Sequence, residues 1–74
     1  MVKAAVLVTA APGRVDEVAE AVGGLGVKDV LAVTGRVDVV VFLEGSRDEV
    51  AGKVKELFGV EGVETTETLW EVES

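Results

Sequence analysis

The polar side chains available for chemistry in this sequence are nearly all charged: fourteen Asp and Glu, seven Lys and Arg, and no His or Cys among 74 residues. Tyr, Asn and Gln are absent too, so apart from the Trp70 indole the remaining polar groups are hydroxyls. Lack of His removes the commonest general base and metal ligand, and lack of Cys removes thiolate nucleophiles, thiolate metal sites and disulfides. Carboxylates alone can hold magnesium or calcium. They cluster at Asp16, Glu17 and Glu20, and again at Glu61, Glu64, Glu67, Glu71 and Glu73, but neither group has the spacing of a cation-binding loop. Charge runs of this kind read as solvated faces. The inventory points to no catalytic residue, no metal and no cofactor, and to a protein that binds and does not turn over substrate.

One segment stands apart. Thr34-Gly35-Arg36-Val37-Asp38 sets a glycine three residues before an acid, at the start of the most apolar stretch of the chain. In one reading Gly35 makes a turn and Asp38 accepts hydrogen bonds from nearby backbone N–H groups. In the other, an acid entering a buried strand, which is costly unless something pairs with it, is kept for a partner.

The elements that must position this segment follow from periodicity and punctuation. Val2 to Ala10 is a β-branched, apolar run closed by Pro12-Gly13 and predicts a first strand. Val15, Val18, Ala19 and Val22 recur at helical spacing with Asp16 and Glu17 in the first turn, and Gly23-Gly24 ends that helix. Strands are expected over Val27–Thr34 and Val37–Leu43, joined by a tight hairpin at Gly35-Arg36 where glycine can supply a positive φ. Ser46 and Glu49 form a capping box ahead of Val50, Val54, Leu57 and Phe58, a second helix stopped at Gly59, and Val63–Val72 is the last strand. An Asp-Glu-Val-Ala string at 16–19 returns at 48–51, and Gly-Val-x-x-Val follows each helix at 26–30 and 59–63. Two copies of one β-α-β unit, interleaved by right-handed crossovers, give a βαββαβ ferredoxin-like α+β domain spanning 1–74: a four-stranded antiparallel sheet with both helices on one face.

Two helices cover only one face of such a sheet, and the other should read polar at alternate positions. Here it does not. Val40 and Phe42, between Asp38 and Glu44, oppose Val37, Val39, Val41 and Leu43, and Ala5 and Leu7 oppose Val2, Ala4, Val6 and Val8. Both faces of both strands call for burial, which predicts a homo-oligomer built on the face carrying Val40, Phe42 and Trp70. A domain of this length hides only about 60% of the surface its unfolded chain exposes, a further reason to expect a partner.

V-T-G-R-V-D-V-V-V at 33–41, a helix, and then G-V-E-T-T-E-T-L at 62–69 resemble the effector-binding (RAM) domain of the Lrp/AsnC transcription regulators over essentially the whole chain. The resemblance implies sheet-to-sheet dimers that often assemble further, and a free amino acid bound between subunits. It carries a ligand-site role to Gly35 and Asp38, and more loosely to Thr34, Arg36, Val37, Thr66 and Thr68. On that reading backbone N–H groups near Gly35 take the ligand carboxylate, Asp38 takes its ammonium, the two threonines add hydroxyls, and Val33 and Val37 favour an apolar side chain. The family's regulators carry an N-terminal helix-turn-helix, whereas here the first strand starts at Val2, so a stand-alone module that joins larger Lrp/AsnC-type regulators is expected and DNA binding is not carried over. The alternatives are an ACT-like regulatory subunit of a metabolic enzyme, whose glycine-containing first loop is matched by no more than Pro12-Gly13, and a purely structural assembly module.

A net charge of −7 with scattered basic residues also argues against a nucleic-acid partner. The apolar start, Met1 to Ala11, is too short to span a membrane and lacks a cleavage-like segment, so the cytoplasm is the expected location. Avoidance of Asn, Gln and Cys fits a thermophilic source.

Overall fold

In the computed structural model, which describes residues 1–72, the elements run β1 (Val2–Ala10), α1 (Val15–Gly23), β2 (Asp29–Ala32), β3 (Val39–Gly45), α2 (Arg47–Phe58) and β4 (Val63–Trp70). The strands form one antiparallel sheet in the order β2-β3-β1-β4. This is the βαββαβ ferredoxin-like fold that the sequence pattern predicts. Glu73, which the sequence groups with the acids of β4, lies outside the described residues.

The core forms where the valines of β1 and β3 meet the helices. Ala4, Val6 and Val8 pair with Leu43, Val41 and Val39, and all six are buried beneath Val18 and Val22 of α1 and Val50 and Leu57 of α2. The sequence echo has a physical counterpart, since Val18 and Val50 stand third in the two Asp-Glu-Val-Ala strings and both are sealed from solvent. Among the described residues no polar or charged residue is buried.

Five strand boundaries differ from expectation: β2 spans Asp29–Ala32 and not 27–34, β3 spans Val39–Gly45 and not Val37–Leu43, and β4 ends at Trp70 and not at Val72. Pairing still continues through single bonds, Lys28 N–H to Phe42 C=O at 2.8 Å and Val33 N–H to Asp38 C=O at 2.9 Å. Between the latter pair, Thr34 to Val37 make an open four-residue loop in place of the two-residue turn. Gly35 does take a positive φ, +139°.

α2 begins with both halves of the expected capping box: the Glu49 N–H donates to Ser46 Oγ at 3.1 Å, and the Ser46 N–H donates to Glu49 Oε1 at 2.8 Å. The bond from the Ser46 backbone holds the Glu49 carboxyl below its ordinary value of 4.5. Because the folded value is the lower one, this stabilisation is complete above about pH 4.5 and is lost as pH falls through the depressed value. Ser46→Ala is expected to cost about 1 kcal/mol in denaturant unfolding at neutral pH. Most of the deficit should persist on acidification, since protonation of Glu49 releases the bond from the backbone N–H of residue 46 in both proteins and leaves the Glu49 N–H to Ser46 Oγ bond of wild type in place.

Candidate functional site

The β2–β3 loop is held by one side chain. Asp38 Oδ2 accepts the Ala10 N–H at 2.8 Å, the Asp38 N–H donates to Val8 C=O at 2.9 Å, and the Asp38 C=O accepts the Val33 N–H at 2.9 Å. Asp38 therefore ties the ends of β1, β2 and β3 together. The bond to Val8 is one residue out of step with the Val8–Val39 pairing, so the regular alternation of β3 begins only after Asp38. The Oδ1 atom has no protein partner among the described residues.

Beyond this anchor the loop is rich in unused donors. Among the described residues, none of the N–H groups of Thr34, Gly35, Arg36 and Val37 has a protein acceptor. Thr34, Gly35 and Arg36 are exposed, and Val37 and Asp38 are half-buried. A Cβ at Gly35 would meet nothing within 4 Å, so the glycine answers to its φ and leaves room above the backbone. Such an arrangement can take a carboxylate on the N–H groups and a cation at the free Asp38 oxygen.

Of the seven residues singled out from the sequence, the structure brings five together, Thr34 to Asp38. The other two stand elsewhere. Thr66 and Thr68 pair with Val8 and Val6 on the helix-covered face, half-buried, and β1 lies between them and β3. Two strand spacings, roughly 10 Å, separate Thr66 from the start of β3. The threonine hydroxyls that sequence reasoning passed over are Thr9 and Thr65, which pair across β1 and β4 and hydrogen-bond to each other. The signal was the alternation of Thr9 with Leu7 and Ala5, which puts it on the face opposite the core.

That face is largely apolar. Ala5, Leu7 and Val40 are half-buried, and Leu31, Phe42 and Leu69 are 46%, 38% and 47% exposed. Trp70 does not belong to it, contrary to the expected interface. Leu69 pairs with Ala5, whose other partner is Phe42, while Trp70 pairs with Ala4 on the helix side, where Arg47 of α2 lies 4.7 Å from the indole ring centre. A side-chain period of two settles the matter once the register is known. Toward the Lys3 end, Phe42, Leu69 and Ala5 line a depression of about 530 Å³, which Trp70 also borders although its strand position is on the helix side. Glu44 stands at its rim, 3.8 Å from Lys3 and 3.9 Å from Lys28. None of the seven residues lines it, and five residue steps along β1, roughly 17 Å, separate Lys3 from Val8 at the loop end.

No family model and no curated protein matches the chain. Solved structures do. A protein from Thermus thermophilus, TTHA0845, is 34% identical with a TM-score of 0.91, the match covering 100% of this chain and 96% of that one. FFRP-DM1 is 25% identical with a TM-score of 0.88 over 97% of this chain and 100% of its own. AsnC of E. coli, at 12% identity, shares the fold with a TM-score of 0.84 over 99% of this chain and 52% of its own length. The chain belongs to the Lrp/AsnC family. It corresponds to the RAM domain of those regulators, and it spans about half the length of AsnC. Among the described residues of this RAM domain, no helix is long and apolar enough to cross a membrane.

Because Asp38 closes the loop of this RAM domain, removing its carboxylate should be felt in stability. Asp38→Ala leaves the half-buried Ala10 N–H without its acceptor and is expected to cost about 1–3 kcal/mol in urea unfolding. Asp38→Asn, which keeps an acceptor oxygen, should recover most of the loss. Equal stability of wild type and Asp38→Ala would mean that the bond does not hold the loop.

Proposed function

We propose that this domain is an amino-acid-responsive regulatory module. It self-assembles through the open face of its sheet and binds a free amino acid at the β2–β3 loop, near a subunit boundary. It acts on transcription in the cytoplasm by joining larger Lrp/AsnC-type regulators, without turnover and without touching DNA itself. The observation that carries the reading is the set of four unused N–H donors at Thr34–Val37 beside one free oxygen of Asp38. An amino acid presents a carboxylate and an ammonium a few ångströms apart, and this pairing of donors with a single acid is its complement.

Thr66 and Thr68 enter the reading only across subunits, because within one chain β1 keeps them from the loop. The apolar open face supports assembly: each large apolar side chain withdrawn from water contributes about 1.5–3 kcal/mol, a large fraction of the stability of a small domain. A purely structural assembly module shares this face but has no use for the donors of the loop.

Two experiments separate these readings. In a thermal-shift screen of the twenty amino acids, at least one should raise Tm, and a ligand at a hundred times its Kd adds about 2.7 kcal/mol. Gly35→Val should abolish that shift, because the substituted residue disfavours a φ of +139° and places bulk where the backbone is approached. If none of the twenty shifts Tm, the structural-module reading takes over. Separately, Phe42→Glu should dissociate or unfold the assembly, and light scattering that found a well-folded wild-type monomer at micromolar concentration would exclude assembly through this face.

A further inference from the structure

We propose that the ligand taken by the β2–β3 loop is an acidic amino acid, with Arg36 binding its side-chain carboxylate; the inference rests on the amino-acid reading of that loop. It comes from how the arginines are used. Arg14 is held by Glu17, its Nε 2.7 Å from Oε2, with Glu61 at 3.3 Å, and Arg47 lies over Trp70. Arg36 alone of the three has no acid, acceptor or ring among the described residues, in a chain with fourteen carboxylates. A guanidinium offers a planar fork of donors matched to a carboxylate.

The placement of this unused fork decides the ligand class. Arg36 sits within the loop whose four N–H groups also lack acceptors, one residue from the glycine that leaves the backbone open. With an α-carboxylate on the N–H groups and an α-ammonium at the free Asp38 oxygen, the guanidinium is left over for a second anionic group. Val33 and Val37 are half-buried while Thr34 and Arg36 are exposed, so a ligand side chain over the open side of the loop meets Arg36 before it meets valine. The charge of −7 does not forbid this, because exposed charges more than about 8 Å away are screened at physiological ionic strength. A carboxylate from a second copy of the chain would offer the same chemistry, and the test separates the two sources.

Calorimetry on the full chain with L-aspartate, L-glutamate, L-asparagine and L-leucine reads the inference directly. An acidic amino acid should bind wild type more tightly than the neutral pair, Arg36→Gln should weaken it roughly ten- to hundredfold, and Arg36→Lys should recover part of the loss. If L-leucine or L-asparagine binds at least as tightly as both acids, or if Arg36→Gln leaves the acidic ligand unaffected, the inference is overturned while the amino-acid reading stands. If no amino acid of the twenty binds, that reading falls and the inference with it. If Arg36→Gln, folded by circular dichroism, shrinks the assembly in the absence of added amino acid, the guanidinium serves a neighbouring copy and the inference is also overturned.

Discussion

β1 and β3 lie side by side at the middle of the sheet, paired without a break from Val2 with Gly45 to Val8 with Val39. Every other placement depends on that pairing. It sends Ala4, Val6 and Val8 with Leu43, Val41 and Val39 toward the helices, and Ala5 and Leu7 with Phe42 and Val40 away from them. A slip of one residue would exchange the two sets. Unusually, the exchange would trade one apolar face for another, so the alternation of valines does not by itself specify the register. The specification comes from the helices, whose Val18, Val22, Val50 and Leu57 fit over the face of smaller side chains, and from Asp38, whose bonds close one end of the ladder.

The same pairing leaves one apolar face of the sheet without a covering layer. A four-stranded sheet with helices on one side leaves the other to water, and here that side carries Leu31, Phe42 and Leu69 with their apolar surface in view. Its edge strands also carry Asp29 and Glu67, and at one end Lys3 and Lys28 both lie within ion-pair reach of Glu44. Exposed pairs of this kind contribute little to stability. The apolar middle of this face is what supports the proposed assembly.

Asp38 combines two demands that usually compete. One carboxylate oxygen accepts a backbone N–H that would otherwise lack a partner, which positions the loop, and the other oxygen is uncommitted. Its two readings, as a structural acceptor and as the proposed ligand group, therefore do not exclude each other: the bond to Ala10 orients the second oxygen.

Much of this was legible in the sequence. Val-rich runs of strand length, helical spacing from Val15 to Val22 and from Val50 to Leu57, and the Ser46–Glu49 capping box are local signals, and each produced the expected element because nothing in the tertiary structure opposed it. The apolar excess on both faces of β1 and β3 was equally plain, as was the positive φ at Gly35. What the sequence could not supply was register and reach. The expected interface sets Trp70 beside Phe42, whereas it stands on the opposite face; the family resemblance groups Thr66 and Thr68 with Gly35, whereas β1 lies between them and β3; and the alternation that puts Thr9 on the open face does not reveal its partner Thr65. The turn at Gly35-Arg36 opens into four residues because Asp38 bonds backward to Ala10 and Val8, contacts across 28 and 30 positions of chain. Local pattern determines which residues alternate and where the chain bends. Only the pairing of distant strands decides which of two equivalent faces a side chain shares, and with whom, because a period of two is silent about its own phase.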